Sequence, residues 1–309
     1  MAVVTMSRRV VLILLFCFAP LPAVAQQPRL DLAPSIRTNV SLVLVPITVT
    51  DRRGAMVNGL DRTNFMILED KVPQPIVAFT AQDAPASVGL IFDTSGSMRD
   101  RLDTAKSAAR AFAEGSNPED EAFVLTVASR PEVHSGFTSD LGTLADSLQF
   151  VTAGGSTALV DTVYGGLQDM RSAARARRAL LIVSDGMDNN SRYSKTELMQ
   201  LALEADVQIY TIAIDSRVRT SKAIELQEQN RGLAFMQDLA EKTGGLHFAI
   251  TDREQTGRVV GAILQALRNQ YVIGYQPTET DQPGKWHRIR VKLNVANTNV
   301  SARNGYYSR

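Results

Sequence analysis

The sequence predicts an α/β protein with a doubly wound, mostly parallel sheet and a flanking β-rich module. Between residues 86 and 270, short apolar segments alternate with helix-like segments. This alternation is typical of a parallel sheet covered by helices on both faces. The segments before and after this region are β-rich and show no helical pattern. Two of the apolar segments end in an aspartate, at the strand end where open α/β sheets bind their ligands.

The central region is predicted to contain five buried strands and six helices. Apolar runs bounded by turn-forming residues predict the strands at 88–92, 122–128, 179–184, 207–214 and 246–250. Apolar residues at helical spacing predict the helices at 101–114, 140–150, 157–172, 195–204, 233–242 and 253–269. The polar segment 216–230 is predicted to be a surface excursion between a strand and a helix.

The β-rich segments form two groups, residues 38–85 and 271–309. Each group has only about three short strands, too few to bury a face alone, so we expect the two groups to pack into one β-module. The predicted strands are 41–50, 65–70, 76–79, 271–275, 286–295 and 300–307. Pro46 predicts an edge position or a bulge for the first of them. Alternation within 286–295 predicts a solvated face made of His287, Arg288, Arg290 and Lys292.

The N-terminal segment has the pattern of a signal peptide over residues 1–25. Arg8 and Arg9 precede an apolar run, and Ala-Val-Ala at 23–25 fits a cleavage site. The run is too short to span a bilayer, so we expect no stable membrane insertion after cleavage; an uncleaved N-terminal anchor is the alternative. Residues 26–37 are predicted to be a flexible leader. The protein is thus expected to be exported, either periplasmic or secreted.

Composition excludes some classes of protein. The 309 residues carry a net charge of +1, with 44% apolar and 21% charged residues, as in an ordinary folded protein. This balance gives no basis for nucleic acid or an anionic membrane as a partner. The single cysteine, Cys17, lies in the predicted signal peptide, and bulky Phe16 before it argues against a lipoprotein signal. The mature chain therefore has no thiol chemistry.

Three loops supply oxygen ligands at predicted strand ends or opposite them. Asp93, Ser95 and Ser97 follow the first strand of the central region, with Gly96 allowing a tight turn. Thr157 lies in a glycine-rich loop before a predicted helix, and Asp185 ends another buried strand. Carboxylate and hydroxyl oxygens suit a hard divalent cation. The alternative for the first loop is a turn in which Asp and Ser bond to their own backbone.

On these residues the chain resembles the von Willebrand factor A family, which has a Rossmann-like fold. In that family Asp-x-Ser-x-Ser, a distant Thr and a distant Asp form the metal-ion-dependent adhesion site. The resemblance implies that one Mg²⁺, or alternatively Mn²⁺ or Ca²⁺, binds to these oxygen ligands. Its open coordination position typically takes a Glu or Asp carboxylate from a partner protein. The matching positions are Asp93, Ser95, Ser97, Thr157 and Asp185.

The layout is also similar to the acidobacterial type of von Willebrand factor A-related protein. Glu69-Asp70 followed by Gln74-Pro75-Ile76, and later Tyr271, Gly274 and Tyr275, match segments that flank the A domain in that group. The resemblance covers most of the mature chain. It implies a domain division into 38–85, 86–270 and 271–309, with the A domain in the middle.

Three functions remain open at this level, and an adhesion-type, cation-dependent protein-binding module leads. A structural envelope scaffold, in which the metal only stabilises the loops, is the alternative, and a metal-dependent hydrolase comes last. No catalytic residues are predicted, because the chain lacks a nucleophile elbow, a zinc-binding histidine pair and a phosphate loop. Asp161 either supports the metal site or is a surface carboxylate. Asp188, Asn189 and Asn190 either border the site or form a plain polar loop.

Overall fold

The fold is seen in a computed structural model that describes residues 42–214, 223–278 and 283–308. It has the predicted class: a mostly parallel α/β sheet with additional antiparallel sheets. The predicted signal peptide and leader lie outside the described residues, as does part of the predicted excursion at 216–230. Among the described helices, none combines the length and apolarity that crossing a bilayer requires.

The central sheet has six strands in the order β10-β9-β8-β5-β6-β7. All neighbours are parallel except β6 and β7. β5 is buried along its whole length, as expected for a strand covered on both faces. The strands are β5 (Ala86–Asp93), β6 (Glu121–Val127), β7 (Pro131–Thr138), β8 (Arg177–Ser184), β9 (Gln208–Ile214) and β10 (His247–Ile250).

In the described part of the chain, six α-helices cover this sheet, three on each face. They are α1 (Leu102–Gly115), α2 (Leu141–Ser147), α3 (Leu159–Asp169), α4 (Lys195–Glu204), α5 (Ala223–Thr243) and α6 (Thr256–Arg268). Leu90 and Phe92 of β5 share a core cluster with α1, α2 and α6. Ile91, between them, belongs to a second cluster with α3, α4 and α5. The period-two alternation of the strand thus divides its apolar side chains between the two helical layers.

Short 3₁₀ segments extend or precede several of these elements. One of them leads from the end of β5 into α1, so the polar residues after Asp93 are held in a tight turn. The five segments are Arg62–Asn64, Gly96–Arg101, Leu148–Phe150, Met170–Ser172 and Arg253–Gln255.

The remaining strands form two four-stranded antiparallel sheets, ordered β13-β1-β11-β4 and β14-β12-β2-β3. Both sheets combine strands from before and after the α/β region, and side chains of both contribute to one core. The strands are β1 (Val43–Asp51), β2 (Phe65–Glu69), β3 (Val72–Gln74), β4 (Ile76–Thr80), β11 (Tyr271–Tyr275), β12 (Trp286–Leu293), β13 (Thr298–Ala302) and β14 (Gly305–Tyr307). We call these two sheets together the β-module.

Two predictions about individual residues of the β-module are wrong. β1 is an interior strand, although Pro46 predicts an edge or bulge. The reason is that β13 pairs with β1 only from Ile47 onward, so Pro46 has a strand neighbour only on the β11 side. His287 is buried, although it was predicted on the solvated face with Arg288. Strict alternation along β12 places His287 on the same side as buried Ile289.

Three element predictions also differ from the structure. α5 begins at Ala223, so residues 223–230 are helical and not a surface excursion; their Glu, Leu and Gln residues are strong helix formers. β7 and β3 were not predicted, and both lie at sheet edges and carry a proline, which edges tolerate. The predicted strand 300–307 is divided between β13 and β14, which lie in different sheets.

We expect residues 42–80 alone to be unfolded. β1 and β4 do not pair with each other, because β11 lies between them, and a lone fragment would expose the apolar faces that the module buries. Far-UV circular dichroism of the fragment should show no cooperative thermal transition, whereas the full chain should show one. A cooperative transition of the fragment would contradict this expectation.

Candidate metal site

Three loops meet at the carboxyl edge of the central sheet. Asp93 ends β5 and Asp185 directly follows β8, and these two parallel strands are neighbours. The Gly154 N–H donates to the Thr94 carbonyl at 2.8 Å, which ties the glycine-rich loop to the first loop. The fold therefore brings the aspartates of two distant segments to the same edge, as the strand-end pattern predicts.

The third loop is attached through Thr157. The N–H groups of Asn189 and Asn190 both donate to the Thr157 carbonyl, each at 3.0 Å. The Thr157 N–H donates in return to Oδ1 of Asn189 at 2.9 Å. This two-way connection fixes Thr157 relative to the loop that carries Asp185.

Four of the five predicted ligands are buried, and one is exposed. Asp93 and Ser95 are fully buried and Thr157 and Asp185 nearly so, whereas Ser97 is exposed. The hydroxyls of Ser95 and Ser97 lie 3.0 Å apart. The hydroxyl pair therefore leads from the buried carboxylate to the surface, and the site is open on the side of Ser97.

The ionised carboxylate of Asp93 lies in an electrostatically unfavourable environment. It accepts the Ser184 hydroxyl at 2.5 Å and the Ser95 N–H at 2.9 Å. Burial, and after it the negative charge of Asp185, raises the pKa of Asp93 from 3.8 to about 6. The two hydrogen bonds thus do not compensate for the free energy lost when the Asp93 carboxylate is buried next to the negatively charged Asp185.

Asp185 has a cationic neighbour. Nη1 of Arg101 lies 3.5 Å from Oδ2 of Asp185 and also donates to the Ser97 carbonyl at 2.9 Å. The Met187 N–H donates to Oδ1 of Asp185 at 3.1 Å. One guanidinium at this distance offsets only part of the charge of two buried carboxylates. The arrangement therefore suits a further cation, and its oxygen-only donor set fits a hard divalent ion such as Mg²⁺.

The comparison with known families agrees with this geometry. Residues 88–187 match a family model described as von Willebrand factor type A domain. The matched range includes all five predicted ligand positions, β5 from Val88 onward and the whole of β6, β7 and β8. Residues 88–187 therefore have the sequence features of a von Willebrand factor type A domain.

Three known proteins that are similar to the chain share at most 22% sequence identity with it. An uncharacterized protein of Borreliella burgdorferi is 22% identical over 188 residues, which are 55% of each chain, so the match spans about half the length of this curated relative. A von Willebrand factor type A structure from Catenulispora acidiphila is 11% identical, with a TM-score of 0.49, over 88% of this chain and 75% of that one. Proximal thread matrix protein 1 from the mussel byssus, solved with a zinc-occupied MIDAS motif, is 15% identical, with a TM-score of 0.48, over 64% and 49%.

Asp161 and Asp188 hold the loop that follows Asp185. Asp161 is buried and accepts the N–H groups of Arg192 and Tyr193 at 2.8 and 3.0 Å. Oδ1 of Asp188 accepts the Val160 N–H at 3.3 Å, near the start of α3. Asp161 is thus not a surface carboxylate, and Asp188 and Asn189 are more than a plain polar loop, because they brace the Thr157 segment.

The sequence analysis missed two residues of the site, Ser184 and Arg101. Ser184 donates to Asp93 and also accepts the Gly186 N–H at 3.0 Å, which links two of the loops. Its hydroxyl directly before Asp185, at the end of a buried strand, is the sequence signal that points to it. Arg101 lies 84 residues from Asp185 in sequence, and no local pattern joins them.

Two glycines allow α5 to approach the Asp185 loop. Gly186 has a φ of +80°, and a Cβ there would lie 2.8 Å from the carbonyl carbon of Gly232 in α5. A Cβ on Gly232 would overlap the Gly186 carbonyl. Backbone therefore packs directly on backbone at this point, and the position of Asp185 depends on it.

We expect Asp93→Asn to stabilise the metal-free protein at neutral pH by roughly 1–3 kcal/mol. A raised folded-state pKa means that the folded state binds the Asp93 proton more tightly than the unfolded state does. Stability from this group is therefore present below about pH 4 and lost as pH rises to about 6. Thermal unfolding in chelator should give the variant the higher Tm at about pH 7, and the difference should shrink towards about pH 4. A Tm difference between variant and wild type that stays the same from about pH 4 to about pH 7 would contradict the raised pKa of Asp93.

We expect Gly232→Ala to destabilise the protein by about 1–3 kcal/mol, because the new methyl group forces α5 away from Gly186. Magnesium affinity should fall with it, since Asp185 precedes Gly186. The control is Gly261→Ala in α6, where a Cβ meets no heavy atom within 4 Å and helix propensity predicts a gain of roughly 0.5–1 kcal/mol. Denaturant unfolding and calorimetric titration of magnesium measure both effects. Equal effects of the two substitutions would show that the close approach is unimportant.

Proposed function

We propose that this protein is an exported, divalent-cation-dependent protein-binding module of the adhesion type. Its ligands for one Mg²⁺, with Mn²⁺ or Ca²⁺ as substitutes, are Asp93, Ser95, Ser97, Thr157 and Asp185. The partner is a protein that offers a Glu or Asp carboxylate to the open coordination position of the ion. The observation that carries this proposal is the pair of buried carboxylates, Asp93 and Asp185, beside hydroxyls that lead to the surface.

The choice of cation follows from the donor atoms. Every proposed ligand is a carboxylate or hydroxyl oxygen, which favours Mg²⁺ and similar hard ions over ions that prefer nitrogen or sulfur. The two carboxylates balance the two positive charges of the ion. The hydroxyls add no negative charge, so the ion can still attract a further anionic ligand. An exposed face at Ser97 leaves room for a further anionic ligand. A carboxylate from outside is the natural protein-borne ligand of this kind.

Binding explains this site better than a purely structural role. The three loops are already joined by backbone hydrogen bonds, including Gly154 to Thr94 and Asn189 to Thr157. An ion is therefore not needed to hold the loops together. A catalytic role is not proposed, because both aspartates serve as ligands and neither is free to act as a general base.

We expect Asp93→Ala to abolish magnesium binding while the fold is kept, because Asp93 lies at a strand end. Thr157→Ala should weaken partner binding more than magnesium binding, as the resemblance to the family implies for this threonine. The controls are Asp100→Ala and Ser156→Ala, two exposed neighbours in the same loops. Calorimetric titration of magnesium into all proteins tests the first statement. Equal affinity of wild type and Asp93→Ala would mean that these residues form only a hydrogen-bonded turn.

The partner is sought in the envelope of the native organism. Immobilised protein should capture it with magnesium and release it with chelator, and excess glutamate should compete if a carboxylate is recognised. Asp93→Ala should capture nothing. Magnesium binding without any magnesium-dependent capture would favour the scaffold alternative, and turnover of an ester or peptide substrate would favour a hydrolase.

A further inference from the structure

Two carboxylates and a histidine lie together in the β-module, outside the proposed magnesium site. Glu69 ends β2, Asp70 follows it in the turn to β3, and His287 belongs to the neighbouring strand β12. Nδ1 of His287 is 3.0 Å from Oδ2 of Asp70 and 3.5 Å from Oε1 of Glu69. One ligand atom from each residue lies within 4.8 Å of the other two. We call these three residues the β-module cluster.

The backbone holds Asp70 in place for this contact. Asp70 and Lys71 have φ angles of 47° and 76°, which form the tight loop between β2 and β3 and which aspartate tolerates better than most residues. The Arg288 N–H donates to Oδ1 of Asp70 at 2.9 Å. This bond fixes one carboxylate oxygen and directs the other, Oδ2, to His287.

Two tyrosines fix Glu69 in the same way. Oε2 of Glu69 accepts the hydroxyl of Tyr275 at 2.6 Å and the hydroxyl of Tyr306 at 3.0 Å. Burial, and after it the hydrogen bond to Glu69, raises the pKa of Tyr275, so its hydroxyl stays a donor. The other oxygen, Oε1, lies on the side of His287. Outer hydrogen bonds of this kind orient the ligands of metal sites.

The spacing of these atoms suits a small four-coordinate cation. In a tetrahedral zinc site with bonds of about 2.0–2.1 Å, neighbouring ligand atoms are about 3.3 Å apart. The two distances from Nδ1, 3.0 and 3.5 Å, lie on either side of this value. An imidazole nitrogen with two carboxylates favours zinc or a similar transition ion over magnesium or calcium.

We propose that Glu69, Asp70 and His287 form a second cation site, which binds Zn²⁺ or a similar transition ion. Three protein ligands leave a fourth position for water or another ligand. The ion enters at Asp70, whose side chain is 46% exposed, while Glu69 and His287 are buried.

Such an ion would cross-link two segments of the β-module that are far apart in sequence. Asp70 and His287 are separated by 217 residues, and the cluster joins the β2–β3 hairpin to β12. Because the unfolded chain does not hold these ligands together, zinc should raise the Tm of the folded protein, and the Tm should keep rising with the logarithm of the free zinc concentration above the Kd. The site therefore has a readout that is independent of partner binding.

The test uses the full chain with Asp93→Ala, which removes the first site, and compares it with the same chain carrying Asp70→Asn. Asparagine tolerates the left-handed backbone at this position, so the fold should survive, which circular dichroism checks. We expect one zinc ion to bind to the Asp93→Ala protein and roughly tenfold or greater loss of affinity with Asp70→Asn, since removing even an outer-shell partner costs about 10–100-fold. His287→Gln should have the same effect, and Asp146→Asn, an exposed acid of α2, should have none.

Two further measurements separate a metal site from a plain ion pair. Cobalt should give the Asp93→Ala protein a visible absorption band typical of four-coordinate cobalt, and Asp70→Asn should lose it. Magnesium should not bind to the Asp93→Ala protein. The proposal is overturned if this protein takes up no zinc, or if Asp70→Asn lowers the Tm but leaves zinc affinity unchanged.

Discussion

The burial of two carboxylates side by side, Asp93 and Asp185, is the constraint on which the candidate site depends. β5 and β8 are parallel neighbours, so their last residues come to the same edge of the sheet. Helices on both faces exclude water from this edge, and the pKa of Asp93 rises as a result. A folded protein keeps such an arrangement at a cost in stability, and a bound cation is the simplest compensation for that cost.

The loops around these carboxylates are organised in advance by backbone contacts. Gly154 bonds to Thr94, Thr157 and Asn189 bond to each other, and Gly186 packs directly on Gly232. These contacts involve no carboxylate oxygen. Each oxygen of Asp93 and Asp185 accepts one other hydrogen bond and keeps a further lone pair for an ion. Rigid loops with uncompensated charge are a favourable starting point for binding, since little conformational entropy is lost when the ion arrives.

The β-module imposes a second constraint, which acts between the ends of the chain. β11 pairs with β1 and β4, and β12 pairs with β2. The α/β elements lie in sequence between β4 and β11. The cluster of Glu69, Asp70 and His287 lies in the sheet that joins β2 to β12, so the same pairing that completes the module also assembles these three side chains. A cation there and one at Asp93 would act on separate parts of the fold.

The sequence by itself determined the order of the helices and of all strands except β7 in the central region, and the five oxygen-bearing positions, because both depend on local patterns. Apolar runs define β5 and β8, and the residues that follow them are fixed by chain connectivity. Only the tertiary structure decided that β1 is interior despite Pro46, that His287 points inward and that Arg101 lies beside Asp185. These features depend on pairings between segments that are far apart in sequence, and their free energies come from packing and desolvation. Such contributions exist only when the neighbours are in place, so no local pattern of residues encodes them.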